Sequence, residues 1–154
     1  MEVYVFSGDR KKLKTLGFYF RKNDSGIFYQ NKQFYGITLR VRGGMIIHNG
    51  SISLEYQALV IDYIINNNNV GPLYLSKENN KILTKSEYDS LKKYFDDKYT
   101  LAQEASENGD DSLYKKYFIE VISNKSMLNA ERISETVSED ILALNTLGII
   151  KINY

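Results

Sequence analysis

The chain contains no cysteine and no tryptophan, and it has a single proline and a single histidine among its 154 residues. The absence of cysteine excludes disulfides, thiolate nucleophiles and cysteine-based metal sites. Because nothing calls for an oxidising compartment, we expect a cytoplasmic protein. No stretch approaches the ~18 consecutive apolar residues that a membrane-spanning helix needs, and the first residues contain no apolar run of signal-peptide length. We therefore expect no membrane partner.

Sequence motifs for catalysis are also missing. His48, the only histidine, stands beside the turn sequence Asn49-Gly50, and no Gly-x-Ser-x-Gly motif supplies a nucleophile elbow. No phosphate-binding loop of the type Gly-x-x-x-x-Gly-Lys-Ser/Thr occurs. Glu131, Glu135 and Glu139 lie four residues apart, a spacing common on solvated helix faces. We expect no catalytic residue, cofactor or metal, and a metal-dependent nuclease stays an open alternative.

Charge is distributed unevenly along this nearly neutral chain. The first fifty residues carry nine lysines and arginines against three acids, whereas the remainder carries eleven against sixteen. Nine of the twenty Phe and Tyr residues lie in the same basic segment. Cations mixed with exposed rings are typical of nucleic-acid-binding surfaces. Alternatively, the acidic part neutralises the basic part within the fold or within a homo-oligomer.

Residue patterns in the first half favour β-strands. Apolar residues alternate with Gly, Thr and Arg over residues 35–42, the period of two of a half-buried strand. Hairpins are predicted near Asn31-Lys32 and near Asn49-Gly50, the second with strands over residues 45–48 and 51–54. A helical period that starts at about Ser53 competes with this last strand for Ser53 and Leu54. A brief helix over residues 10–16 precedes these strands, and Gly17 would close it. A strand over residues 18–22 follows, and the turn sequence Asn23-Asp24-Ser25-Gly26 would end it. The N-terminal part thus predicts an antiparallel sheet of four or more strands.

The second half is predicted to be mainly helical. A minor hairpin over residues 77–80 precedes Thr84-Lys85-Ser86-Glu87, which matches a capping box, and Asn108-Gly109 would end the helix that follows. A further helix starts at Asp110 or Asp111, with Phe118 on its predicted buried face. Two short helices are predicted over about residues 129–137 and 138–147, and Gly148 would close the second. The fold class is therefore α+β, the sheet packing against three to four helices. We expect a basic β-sheet part, residues 1–83, and an acidic helical part, residues 84–154, within one compact unit.

The predicted first hairpin defines a candidate binding face. A reversal at Asn31-Lys32 would place Tyr29 opposite Phe34, and strand parity would then place Phe34, Thr38 and Arg40 on the face opposite the core. Lysines of the short helix, together with Arg21, Lys22 and Lys32, would add phosphate contacts. The candidate face consists of Tyr29, Phe34, Arg40, Arg42, Lys11, Lys12 and Lys14. The alternative interpretation is that the helical part covers the rings and that the lysines are ordinary solvated charges.

The last helices have the element order of winged-helix DNA-binding proteins, but Ser138, Glu139 and Asp140 would begin the recognition helix, and acids there repel DNA. We therefore expect a small non-enzymatic binding protein. Our first hypothesis is a protein-binding accessory factor or inhibitor of the phage type, acting on a larger enzyme or assembly. The alternative is a nucleic-acid-binding protein that uses the basic, aromatic sheet face. A homo-oligomer is compatible with both.

Overall fold

The computed structural model describes residues 2–5, 10–24, 26–31, 33–34, 37–40, 44–47 and 52–153. It is α+β, as predicted, and its N-terminal sheet is antiparallel. The elements, in chain order, are β1 Glu2–Val5, α1 Arg10–Thr15, β2 Tyr19–Asn23, β3 Gly26–Gln30, β4 Ile37–Arg40, β5 Gly44–Ile47, α2 Leu54–Asn67, β6 Leu73–Ser76, β7 Lys81–Thr84, α3 Lys85–Glu107, α4 Asp111–Leu128, β8 Glu131–Ile133, α5 Glu135–Thr146 and β9 Ile150–Asn153.

The chain divides into two compact units. The first contains Met1–Pro72 together with Ile133–Tyr154, and the second contains Leu73–Arg132. The second unit begins at β6. The reason is that β6 and β7 pair with each other just before α3, so the hairpin and the helix that follows it belong to the same unit.

In the first unit, strands β2, β3, β4 and β5 are hydrogen-bonded in that order, and β1 pairs with β9. The β2–β3 hairpin turns where the sequence predicts it, with Asn23 opposite Gly26. Gly26 has φ +130°, a conformation that side-chain-bearing residues rarely adopt. Apolar side chains from the sheet, from α2 and from α5 form the core; its fully buried members include Leu39, Val60, Ile61, Ile64, Ile141, Leu144, Ile149 and Ile150.

The first predicted hairpin has the wrong register. In the structure, β3 pairs with β4 so that Tyr29 lies opposite Leu39, whereas the sequence pattern placed it opposite Phe34. Strand β3 ends at Gln30, and the next residue, Asn31, bonds to a segment outside the sheet. Its Nδ2 donates a hydrogen bond to the Leu16 carbonyl at 2.8 Å. A longer connection therefore joins the two strands, and every cross-strand neighbour shifts.

Over the second strand of the second predicted hairpin, the competing prediction of a helix from about Ser53 is confirmed. Residues 48–51, with Asn49-Gly50, lie outside the described part of the chain, but residues 52–54 do not form a strand. Ser53 instead precedes α2 in an extended conformation, and Leu54 begins that helix. A helix forms here in place of the strand because the helical spacing buries Val60, Ile61 and Ile64 on one side of α2. The partner of β5 is β4.

The second unit contains a strand hairpin and a helical hairpin. Strands β6 and β7 pair around residues 77–80, as predicted. Thr84 caps α3, because its Oγ1 accepts the Glu87 backbone N–H at 3.1 Å and the Glu87 side chain completes the predicted capping box. Asp110 caps α4 by accepting the Leu113 backbone N–H at 3.0 Å. Phe95, Ala102 and Ala105 are buried on α3, which packs along α4.

The two short helices predicted near the C-terminus are replaced by a strand and one helix. Residues 131–133 form β8, which lies next to β6 in the sheet. Ser134 then caps α5, its Oγ accepting the Val137 backbone N–H at 3.4 Å. Gly148 follows α5 with φ +69°, so the predicted stop is confirmed. The helix–turn–helix suggested by the sequence is absent from residues 129–147.

Candidate binding surfaces

The rings of the predicted binding face do not share one solvent-facing surface. Phe34 is only 5% exposed and stacks on Phe18, with ring centroids 5.5 Å apart. The expectation that Phe34 faces solvent is therefore wrong. Tyr29 is half-buried and contacts Phe20 edge to face, at 5.9 Å between centroids. The shifted register explains this separation, because it puts Tyr29 on the same side of the sheet as buried Leu39.

The predicted cations fall into two groups. Lys11 and Lys14 are solvent-exposed on α1, and Lys12 lies between them, its side chain outside the described part of the structure. Arg40 occupies a position in β4 opposite Phe28. Its side chain is likewise outside the described part, as is the whole of Arg42. Arg40, Phe28 and Arg21 lie opposite one another in one row across β4, β3 and β2. The lysines form the other group, on α1, which precedes β2 in the chain.

Strand β2 carries an exposed set of rings and cations that the sequence-based face does not include. Tyr19, Phe20, Arg21 and Lys22 are all solvent-exposed, because β2 is the outer strand in the order β2-β3-β4-β5. Arg21 donates from Nη1 to Oε1 of Gln30 at 3.2 Å. Its guanidinium carbon lies 6.0 Å from the Tyr19 ring centroid. The sequence identified this strand, but the position of a strand at a sheet edge is set by topology.

A second exposed surface lies on α4. Ile119 is 62% exposed and Ile122 54%, and Phe118 is 39% exposed on the same helix. Spacings of three and four residues bring the three side chains together on the helix surface. We call this set, Phe118, Ile119 and Ile122, the α4 patch. Sequence reasoning missed it by assigning Phe118 to a buried face; the exposed isoleucines gave no periodic signal, since α4 is apolar on more than one side.

Helices α3 and α4 are tied together behind this patch. Lys98 on α3 forms an ion pair with Glu120 on α4, with Nζ and Oε2 3.0 Å apart. The ammonium also lies 5.6 Å from the Tyr94 ring centroid and 5.1 Å from that of Tyr117. The hydrogen bond to Glu120 raises the pKa of Lys98 above its ordinary value. The ion pair and the flanking rings fix the two helices side by side.

A groove of about 300 Å³ opens between the same two helices. Tyr114 and Phe118 on α4 stack on each other along one side of it, with centroids 5.5 Å apart. Tyr99, Ala102, Gln103, Ser106 and Glu107 line the opposite side. Phe118 thus contributes both to the groove and to the α4 patch. A lining of this kind suits an apolar side chain better than a reacting group.

The described residues contain neither a cluster of potential metal ligands nor a membrane-spanning helix. Among them, no group of three or more histidines and acids is placed to hold a metal ion. No helix in that part of the chain has both the length and the apolar character needed to cross a bilayer. Comparison with protein-family models, with curated proteins and with solved structures finds no match to this chain.

Proposed function

We propose that the chain is a small non-enzymatic protein-binding factor that acts on a larger enzyme or assembly through the α4 patch. The exposure of Ile119 and Ile122 carries this proposal. Leaving aliphatic side chains in water forgoes ~1.5–3 kcal/mol each relative to full burial. A contiguous exposed apolar patch is the usual mark of a surface that a partner covers.

The charges around the patch define the chemistry of the partner. Lys115 and Lys116 are exposed one turn before the isoleucines, and Lys125 is exposed after them. Carboxylates on a partner would complement these ammonium groups and would steer its approach. The partner that fits best is a protein segment with an apolar face edged by aspartate or glutamate.

The scaffold behind the patch favours tight binding. Phe95, Ala102 and Ala105 are buried on α3, and the Lys98–Glu120 pair joins this helix to α4. A patch held on a packed helical hairpin loses little conformational entropy when it binds. The neighbouring groove between Tyr99 and Phe118 gives the partner a second place to insert an apolar side chain.

Quantitative co-purification from a native lysate tests the proposal, followed by a binding measurement with the purified partner. Replacing Ile119→Glu and Ile122→Glu should weaken partner binding at least tenfold, because charges would enter the apolar centre. Val70→Glu is the matched control, since Val70 is an exposed aliphatic residue of the other unit. Recovery of the wild-type protein alone at physiological salt would contradict the proposal, as would equal binding by the double variant and by the control.

Two double variants test the role of the lysines beside the patch. Lys115→Glu with Lys116→Glu should slow association and reduce its salt dependence. Lys92→Glu with Lys93→Glu makes the same change at two adjacent exposed lysines of α3 and should leave association unchanged. Light scattering on the purified protein tests whether a second copy of the chain covers the patch. A dimer that Ile119→Glu dissociates would show that a second copy covers the patch, and it would overturn the proposed acidic partner.

A further inference from the structure

The positive charge of the chain is concentrated in one short segment. Residues 10–34 contain seven lysines and arginines and a single acid, Asp24. The cations are Arg10, Lys11, Lys12, Lys14, Arg21, Lys22 and Lys32. The entire +6 excess of the first fifty residues therefore lies in α1, in the β2–β3 hairpin and in their immediate surroundings. Of these side chains, Lys11, Lys14, Arg21 and Lys22 are solvent-exposed.

Two exposed rings lie within the same segment. Tyr19 is 43% exposed and Phe20 57%, and they are consecutive residues of the outer strand β2. Because successive side chains of a strand point to opposite faces, Tyr19 shares one face with Arg21, and Phe20 shares the other with Lys22. Each side of this strand thus presents a ring next to a cation. Neither ring is needed for the core, which Phe18 and Phe34 enter instead.

We infer that β2 and the exposed lysines of α1 form a binding site for single-stranded nucleic acid, separate from the α4 patch. Unpaired bases stack on tyrosine and phenylalanine rings, and the phosphates between them pair with lysine and arginine. A docked protein surface would use the rings but would not require four exposed cations. A polyanion without bases would use the cations but not the rings. Stacking of this kind recognises any base, so binding is expected to be tolerant of sequence.

The lysines and the strand are held in a fixed relation. Helix α1 ends at Thr15, and Gly17 follows with φ +89° and donates its N–H to the Lys14 carbonyl at 3.0 Å. The Phe18 N–H donates to the Leu13 carbonyl at 3.0 Å, and both of these side chains are buried. Asn31 donates to the Leu16 carbonyl at the same turn. This anchored turn makes the site largely preformed, which lowers the entropic cost of binding.

Fluorescence anisotropy with a fluorescein-labelled 20-nucleotide oligo(dT) tests the site. We expect saturable binding to the full chain at 50 mM KCl. Each phosphate contact with a single strand contributes about −0.7 to the slope of log affinity against log salt, so the four exposed cations predict a slope near −3. Raising KCl to 200 mM should then lower the affinity roughly 50-fold. Absence of measurable binding at 50 mM KCl would overturn the inference.

Single substitutions separate stacking from charge. Tyr19→Leu and Phe20→Leu should each weaken oligo(dT) binding at least about fivefold without changing the salt slope. Arg21→Ala with Lys22→Ala should make that slope shallower by about 1.4. Tyr99→Leu, at an exposed ring of α3, and Lys92→Ala with Lys93→Ala are the matched controls and should bind as the wild type does. Far-UV circular dichroism checks that every variant keeps its secondary structure.

Three competitors decide the class of ligand. Unlabelled oligo(dT) should displace the probe, whereas a 20-base-pair duplex should compete at least tenfold less well, because its bases are already stacked. Heparin should compete only through charge, so its apparent affinity should be the same for wild type and for Tyr19→Leu. Equal competition by duplex, or ring variants that bind oligo(dT) as the wild type does, would show a plain polyanion surface and would overturn the inference. Ile119→Glu with Ile122→Glu should bind oligo(dT) normally, which keeps this site distinct from the α4 patch.

Discussion

The ring of Phe34 lies nearly parallel to that of Phe18, with centroids 5.5 Å apart and planes 11° from parallel. This stack joins the residue just before β2 to the connection between β3 and β4. Both rings are at most 5% exposed. The contact therefore places Phe34 among the residues that hold the first unit together, and it leaves Tyr19 and Phe20 as the rings available at the surface.

Phe34→Ala should strongly destabilise the first unit. Truncating a buried phenylalanine removes its apolar contacts and leaves a cavity, at a cost of ~3–5 kcal/mol in the free energy of unfolding. Phe20→Ala is the matched control, because that ring is mostly exposed, and it should cost about 1 kcal/mol or less. Urea unfolding followed by near-UV circular dichroism measures both. Equal midpoints for the two variants would contradict the assigned burial.

Tyr88 should stabilise the second unit in two separable ways. Its ring stacks on Tyr74 with centroids 4.1 Å apart, and its hydroxyl donates to the Leu128 carbonyl at 3.2 Å. Tyr88→Phe removes only the hydrogen bond and should cost ~1 kcal/mol of unfolding free energy. Tyr88→Leu also loses the aromatic pair and should cost ~0.5–1.5 kcal/mol more. Urea unfolding followed by far-UV circular dichroism measures both.

The control for Tyr88 is Tyr99→Phe, since Tyr99 is an exposed ring of the same helix. It should change the unfolding free energy by less than ~0.5 kcal/mol. If Tyr88→Phe behaves like Tyr99→Phe, the hydroxyl of Tyr88 does not tie α3 to the end of α4.

The Lys98–Glu120 pair should give the second unit a stability that is lost at alkaline pH. The hydrogen bond to Glu120 raises the folded-state pKa of Lys98 above its ordinary value. A raised lysine pKa means that the folded state binds the proton more tightly than the unfolded chain does. The contribution is therefore complete below the ordinary lysine pKa and disappears as pH rises through the raised one.

Urea unfolding of the wild type and of Lys98→Met, repeated at several pH values between 8 and 12, measures this contribution. The wild type should be the more stable protein at pH 8, and the gap should narrow towards pH 12. Lys92→Met, at an exposed lysine of the same helix, should show a small and nearly constant difference. A Lys98→Met gap that stays constant with pH would show that packing of the lysine stem, and not its charge, stabilises the pair.

The elements that the sequence predicted best are those with local physical causes. The capping box at Thr84, the stop at Gly148 and the turn at Asn23–Gly26 are all confirmed, because each depends on hydrogen bonds or φ values within a few residues. Strand pairing at Tyr29 was predicted wrongly. The structure pairs Tyr29 with Leu39, and Asn31, just after β3, bonds to Leu16, fifteen positions away, a contact that no local pattern indicates.

The residues of the candidate site were also only partly predictable from local sequence. The basic and aromatic character of residues 10–34 is evident in the sequence. Which rings meet solvent is not, because Phe18, Tyr19 and Phe20 are consecutive and equally suited to either environment. Phe18, just before β2, is buried against Phe34, whereas Tyr19 and Phe20 lie in β2 at the edge of the sheet and are exposed. The exposure of Ile119 and Ile122 likewise follows from how α4 packs on α3.

By itself, the sequence determined the fold class, the ends of most helices and the segment that holds the excess positive charge. These properties depend on composition, on the period of apolar residues and on short-range capping, all of which are local. The tertiary structure decided the register of the sheet, the division into units and the residues left at the surface. Burial depends on contacts between distant segments, so the stack of Phe34 on Phe18 and the exposed edge of β2 appear only once the chain is folded.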